Sequence, residues 1–177
     1  LHEAVSYLAS PMMLDANVAP GTDVTLELHE HASASGASPS RSRGLRADYF
    51  LGTDLKRLKV TQVDPAVNFE WRKGRPVPTV PEDGFSVRWT GWVVPPRTET
   101  YTFYTMADDG VRLWVDGKQL VDAWRGQNPT EYFASLTLEA GRRYPIRVEF
   151  FEDTGDATAK LLWSGPSLKK EIIPTSQ

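Results

Sequence analysis

Asp108 and Asp109, followed by Gly110, are the residues of this chain whose types and spacing best suit metal chemistry. Ca²⁺ takes about six to eight oxygen ligands from carboxylates, carbonyls and water. Two adjacent carboxylates at the tip between two strands can converge on one such cation, which predicts a Ca²⁺ site. The alternative is structural, since Asp-Asp-Gly also makes a good hairpin turn.

Catalytic motifs are missing from the sequence, and we expect no enzyme activity. It contains no Gly-x-Ser-x-Gly, no His-Glu-x-x-His and no glycine-rich phosphate loop. All three histidines, His2, His29 and His31, precede residue 32, so the main domain has none for a Ser-His-Asp triad. His29 and His31 could share a transition metal, but we interpret them as an incidental exposed pair. The chain could still be the accessory module of a larger glycan-acting enzyme.

Composition excludes several other classes of function. The 177 residues carry a net charge of −3, which argues against binding to a phosphate backbone. No apolar run approaches the ~18 residues that a membrane-spanning helix needs. The absence of cysteine excludes thiol catalysis and disulfides. Because the chain begins at Leu1 rather than at Met, we expect it to be a processed or excised piece.

Three stretches of different texture divide the chain. Residues 1–31 are predicted to be the tail of a preceding segment or domain, with a strand over residues 22–29 that could alternatively add an edge to the following domain. Residues 32–43 are rich in Ser and Ala and predict a flexible linker. Residues 44–174 hold nearly all the aromatic side chains and are predicted to form the domain.

Alternating apolar and polar residues run through residues 44–174, with turn signals such as Asp116-Gly117 between them. Many short alternating strands predict an all-β fold, an antiparallel sandwich or barrel. Trp89, Trp114 and Trp163 lie in strand patterns and are expected to be scaffold residues. Trp71, beside Arg72 and other basic residues, is expected to be more exposed and could form a cation–π contact or a small anion site. The alternative is a basic cluster that is simply solvated.

An ordered series of motifs resembles the PA14 domain family, which is named for the anthrax protective antigen and occurs in glycosidases, adhesins and yeast flocculins. The series covers residues 44–174 and reads GLRADYF from residue 44, FSVRWTG from 85, YTF from 101, DDGVRLWVDG from 108, VDAW from 121, AG from 140, IRVEFF from 146 and LLW from 161. The resemblance implies an antiparallel β-sandwich with jelly-roll character. It also implies an accessory role, usually binding and sometimes binding of carbohydrate.

The resemblance also implies how a Ca²⁺ site would be completed. In lectin members of the family the Asp-Asp pair is joined by a cis peptide, and a later loop, often with Asn, supplies further ligands. Here that loop offers Glu152, Asp153 and Asp156 but no Asn. We expect Asp153 and Asp156 to join Asp108 and Asp109 at the metal, and the missing Asn favours a module that binds no sugar.

The loop over residues 122–131 corresponds to the region that shapes the sugar pocket in lectin relatives. Trp124 could stack on a pyranose face, while Arg125, Gln127 and Asn128 could donate to hydroxyl groups. The alternative for Trp124 is packing on the edge of the sandwich.

These features together predict a non-catalytic, extracellular or cell-surface carbohydrate-binding module that depends on Ca²⁺. Its expected partners are a glycan and other domains of the parent chain, an adhesin or polysaccharide-acting enzyme, with no nucleic acid and no membrane insertion. The alternative is a structural or protein-interaction module without sugar binding, in which Asp108-Asp109-Gly110 is only a turn.

Overall fold

The computed structural model describes residues 44–174. The regular structure of this part consists of strands and includes no helix. These residues therefore contain no helix long and apolar enough to cross a membrane. In chain order the strands are β1 (Leu45–Leu51), β2 (Arg57–Asp64), β3 (Asn68–Arg72), β4 (Phe85–Val93), β5 (Glu99–Asp108), β6 (Gly110–Val115), β7 (Lys118–Ala123), β8 (Thr130–Leu138), β9 (Tyr144–Glu152), β10 (Ala157–Gly165) and β11 (Leu168–Ile172).

Two antiparallel sheets form a β-sandwich, which confirms the predicted fold class. The six-stranded sheet has the order β2-β1-β4-β9-β6-β7. The five-stranded sheet has the order β11-β10-β5-β8, with β3 paired to β10. The predictions for residues 1–43, including the strand over 22–29, the linker and the pair His29 and His31, lie outside the described residues.

The core forms because alternate residues of each strand point to the same side. Residues 101, 103, 105 and 107 of β5 are each 0% exposed, and residues 102, 104 and 106 between them face outward. In the opposite sheet, Ile146 and Val148 of β9 are buried at alternate positions in the same way. The alternation seen in the sequence therefore predicts the inner faces of both sheets correctly.

Two predictions about tryptophans are wrong. Trp71 is not an exposed cation–π site, because its ring stacks on Phe69 at a centroid distance of 4.6 Å and lies 6.5 Å from the buried Trp89. Trp114 is not a core residue. Its neighbours Leu113 and Val115 are buried, so the alternation of β6 directs Trp114 to the outer face of the six-stranded sheet.

Two predicted turns differ in what they connect. Asp116 and Gly117 have positive φ values of 52° and 74° and join β6 to its neighbour β7, as expected for a tight hairpin. Asp108-Asp109-Gly110 is not a hairpin turn, because β5 and β6 belong to different sheets. The chain crosses from one layer of the sandwich to the other at this point.

Candidate functional site, an acidic cluster at one end of the sandwich

Three connections between the sheets meet at one end of the sandwich. They join β5 to β6, β7 to β8, and β9 to β10, and each passes from one sheet to the other. The register brings them together: Asp108 pairs with Thr158 in one sheet, and Gly110 pairs with Phe151 in the other. Residues distant in sequence can therefore form one site here.

Three carboxylates converge at this end. Oxygen atoms of Asp108, Asp109 and Glu152 all lie within 4.8 Å of one another. Their side chains are largely withdrawn from solvent, with exposures of 9%, 8% and 0% in that order. The peptide bond between Asp108 and Asp109 is cis, as the family resemblance implies.

Asp109 is held in place by two of the connecting loops. Its Oδ1 accepts a hydrogen bond from the backbone N–H of Gln127 at 2.9 Å, and its Oδ2 accepts one from the backbone N–H of Asp153 at 2.9 Å. The side-chain amide of Gln127 also donates to the Asp109 carbonyl at 2.9 Å. Each carboxylate oxygen keeps a further lone pair that could bind a cation.

Glu152 has no such support. Neither of its side-chain oxygens has a hydrogen-bond partner among the described residues. Burial, together with the negative charges of Asp109 and Asp108, raises the pKa of Glu152 to about 8. Burial, followed by the charges of Asp109 and Asp156, also raises the pKa of Asp108.

A hard divalent cation would satisfy this cluster. A buried carboxylate without partners is costly unless a proton or a positive charge neutralises it. Three converging carboxylates provide oxygen ligands of the type that Ca²⁺ prefers. The residues of this chain thus fit the metal that the family resemblance implies.

Asp153 and Asp156, the metal ligands expected from the sequence, are placed differently from Glu152. Asp153 is exposed and contributes its backbone N–H to Asp109. Asp156 is exposed beside Asp108, close enough for its charge to raise the pKa of that carboxyl. Sequence reasoning ranked both above Glu152, although one signal pointed to it. Alternation from the buried Phe150 places Glu152 on the inner face of β9.

Two depressions open on either side of Asp109. The first is a cleft of about 610 Å³ lined by Lys73, Asp108, Asp109, Gln127, Asn128, Pro129, Thr154, Gly155 and Asp156. The second has a volume of about 520 Å³ and is lined by Thr53, Asp109, Trp124, Gly126, Phe151, Asp153 and Thr154. The structure therefore separates the predicted sugar ligands Gln127 and Asn128 from Trp124.

Trp124 and Arg125 have partners of their own. The Trp124 ring packs edge-on against Phe151 at 4.8 Å, and the Arg112 guanidinium lies 4.0 Å from its centroid. Trp124 is half-buried, so its ring both packs on the edge of the sandwich and lines the second depression. Arg125 donates to the Tyr132 hydroxyl at 3.0 Å and lines neither depression.

Comparison with known proteins finds a family model and a curated relative that match most of this chain. A family model described as the PA14 domain matches residues 41–177. The anti-sigma-I factor RsgI3 of Acetivibrio thermocellus is 48% identical over 134 residues, which are 76% of this chain and 21% of that protein. The chain therefore spans about a fifth of the length of this curated relative.

Two solved structures show the same architecture. An anti-sigma factor domain-containing protein matches with a TM-score of 0.75 and 48% identity, over 76% of this chain and 47% of that chain. The PA14 sugar-binding domain from an RTX adhesin matches with a TM-score of 0.63 and 14% identity, over 76% of this chain and 99% of that chain. At such low identity the second likeness shows the fold alone.

Proposed function

Because this chain belongs to the PA14 domain family, we propose that residues 44–174 form a non-catalytic, Ca²⁺-dependent carbohydrate-binding module. The observation that carries this proposal is the buried Glu152, whose two oxygens lack partners beside the carboxylates of Asp108 and Asp109. Asp108 and Asp109 also line the cleft of about 610 Å³. A ligand in that cleft would be in reach of a cation held by the cluster.

The residues divide into three roles. Asp108, Asp109 and Glu152 would hold Ca²⁺, which when bound offers open coordination positions to oxygen ligands such as sugar hydroxyls. Gln127 fixes Asp109 through two hydrogen bonds and so orients the carboxylate pair. Asn128 lines the cleft, where its side-chain amide can both donate to and accept from a hydroxyl group.

The names of the relatives support a particular setting for this module. RsgI3, of which this chain covers 21%, is named an anti-sigma-I factor, and the solved domain from an RTX adhesin is named a sugar-binding domain. We infer that this chain is the glycan-sensing part of such a regulator, displayed at the cell surface. This differs from the adhesin or polysaccharide-acting enzyme expected from the sequence. Its partners would be a glycan and the other domains of the parent chain.

Calcium titration of chelator-treated protein by calorimetry tests the metal site. We expect saturable binding that raises the melting temperature, and its loss in the double variant Asp108→Asn, Asp109→Asn. Asp116→Asn is the matched control, because Asp116 is exposed in the turn between β6 and β7, at the opposite end of β6 from the cluster. An absence of binding in the unaltered protein would reject the site.

Glycan binding is tested separately, on an array probed with and without chelator. We expect binding that chelator abolishes. Asn128→Ala should weaken glycan binding about tenfold and leave Ca²⁺ affinity unchanged, because Asn128 lines the cleft without belonging to the carboxylate cluster. Glycan binding that survives chelator and the double variant would contradict a Ca²⁺-dependent mechanism.

A protein-interaction module is the second candidate, and one observation favours it. Phe133 is 69% exposed on β8, beside Tyr104 at a centroid distance of 6.1 Å. An exposed aromatic ring such as that of Phe133 is typical of a contact with another protein surface. If this function is correct, Phe133→Ala should weaken association with the other domains of the parent chain, and the Asp108, Asp109 double variant should not.

A further inference from the structure

A groove of about 700 Å³ lies on the outer face of the six-stranded sheet, away from the acidic cluster. It is lined by Thr90, Gly91, Trp92, Trp114, Gly117, Pro145, Ile146 and Arg147. Its lining follows from the register of three adjacent strands, since Arg147 of β9 pairs with Thr90 of β4 on one side and with Trp114 of β6 on the other. These strands meet the acidic cluster at their opposite ends.

Two tryptophans lie on either side of this groove. Trp92 belongs to β4 and is 47% exposed, and Trp114 belongs to β6. Strand β9 separates them, so the two strands that carry them are roughly 10 Å apart across the sheet, with Trp92 opposite Pro145 and Trp114 opposite Arg147. Aromatic rings at this separation can each contact one face of a sugar within an extended chain, because a ring buries large apolar area at low conformational cost.

Positive charge surrounds the tryptophans. Arg88 donates to Glu149 at 2.9 Å, Arg112 contacts the same carboxylate at 2.7 Å, and Arg147 approaches it to 3.8 Å. Asp48 and Asp122 pair in register with Arg88 and Arg112 on the same face, so the uncompensated positive charge lies at the groove itself, on Arg147 and on Arg143 beside Trp92. The chain as a whole has a net charge of −3, so the groove has the opposite sign.

Guanidinium groups also lie directly over both rings. Arg147 is 3.8 Å from the centroid of Trp114, and Arg143 is 5.0 Å from that of Trp92. Each ring is therefore paired with a fixed cation that carries hydrogen-bond donors. An arginine in this position can bind a carboxylate through two parallel hydrogen bonds, while the part of the ring that it leaves uncovered contacts the apolar face of the ligand.

We propose that this groove is a second binding site, for an acidic polysaccharide chain built of uronic acid residues. Trp92 and Trp114 contact the sugar rings, and Arg147 and Arg143 bind the carboxylates. A neutral glycan would use the rings but would offer no carboxylate to Arg147 and Arg143. The site needs no metal, because its charges already attract an anion.

Calorimetry in excess chelator tests the site with a matched pair of ligands. The probe is a hexamer of β-1,4-linked mannuronic acid, and its neutral counterpart is β-1,4-linked mannohexaose. We expect the acidic hexamer to bind at least about tenfold more tightly and to weaken as salt is added, since salt screens exposed charges. Equal affinity for the two hexamers, or no binding of the acidic one, would overturn the proposal.

Variants assign the binding to the groove. Trp92→Ala and Arg147→Glu should each raise the Kd for the acidic hexamer about tenfold or more, with melting temperatures confirming that both fold. The controls are Phe133→Ala, an exposed aromatic on the other sheet, and Lys56→Glu, an exposed cation elsewhere. Unchanged affinity in both groove variants would place the binding elsewhere and reject the site.

The double variant Asp108→Asn, Asp109→Asn separates this inference from the proposed function. It should lose Ca²⁺ binding and keep its affinity for the acidic hexamer in chelator. Loss of hexamer binding in the double variant would show that the ligand occupies the acidic end and would overturn the groove site, whatever the outcome of the calcium titration.

Discussion

Glu149 and Glu152 lie on the same strand, both are buried, and their surroundings are opposite. Glu149 is 3% exposed and accepts close contacts from Arg88 and Arg112. Glu152 is 0% exposed, has no partner among the described residues, and lies beside two aspartates. The difference shows that neighbouring strands and loops decide whether a buried glutamate stabilises the fold or creates a demand for a cation.

The two regions also differ in what they can bind. The outer face of the six-stranded sheet has an excess of guanidinium groups and suits an anion. The end with the three sheet-to-sheet connections has an excess of carboxylates and suits a metal ion. Each prediction below alters one region and uses the other as its reference.

The largest effect is expected from Gly110→Ala. A Cβ at this position would lie 2.1 Å from Cε1 of Phe151, whose ring also packs on Trp124. Overpacking of this kind should cost about 3 kcal/mol in the free energy of unfolding and should also weaken Ca²⁺ binding through the adjacent Glu152. Urea denaturation and calcium titration measure the two effects.

Gly117→Ala is its counterpart beside the groove. No atom lies within 4 Å of the added Cβ, but the φ of +74° strains a side chain. This change should cost only about 1 kcal/mol. Equal costs for the two glycine variants would show that the contact with Phe151 does not constrain the acidic end.

Glu149→Gln tests the buried carboxylate whose negative charge is balanced by neighbouring arginines. The change keeps the shape of the side chain but removes the charge that faces the guanidinium groups of Arg88 and Arg112. Since both arginines are about one-third exposed and partly screened, we expect a loss of about 2 to 3 kcal/mol, measured by urea denaturation at neutral pH. Glu139→Gln is the control, because Glu139 is exposed and only 3.9 Å from its partner Arg142. A loss of unfolding free energy as small as that of Glu139→Gln would contradict the inference that Glu149 stabilises the fold through its arginine partners.

Glu152→Gln should have the opposite sign in metal-free protein. At pH 8 we expect it to stabilise the fold by about 2 kcal/mol, because it removes a buried charge that two aspartates repel. With Ca²⁺ present the unaltered protein should gain more stability than the variant. A loss of stability on Glu152→Gln in chelator would mean that Glu152 has a partner that neutralises it.

The pH dependence of the same variant tests its cause. The folded state raises the pKa of Glu152 from an ordinary value of 4.5 to about 8, so between these values the folded protein binds a proton that the unfolded chain has lost. Stability of the metal-free protein should therefore fall as pH rises from about 5 to 8. Subtracting the profile of Glu152→Gln isolates this contribution, and parallel profiles would count against it.

A small effect is expected from Trp92→Ala. Trp92 is 47% exposed and its ring contacts Arg143, so the change should lower the free energy of unfolding by about 1 kcal/mol. A much larger loss in urea denaturation would indicate that Trp92 supports the sheet, and its effect on ligand binding would then need a second groove variant for interpretation.

Much of the fold follows from local pattern. The alternation around Trp89 and Phe103 predicts strands with one buried face, and the ordered motifs identify the family. The site is only partly predictable in this way. The Asp108 and Asp109 pair is visible in the sequence, whereas Glu152 gains its place beside them, without a hydrogen-bond partner among the described residues, only through the packing of the sandwich.

What the sequence determined by itself is the set of strands, the family and the acidic pair, since these depend on neighbours within a few residues. The tertiary structure decided the rest. Register across three strands places Thr90, Arg147 and Trp114 side by side, with Trp92 two residues further along β4, although the three strands are far apart in the chain. Crossing between sheets brings Glu152 to Asp109, 43 residues earlier in the numbering. Such pairings depend on long-range packing, which no local spacing records.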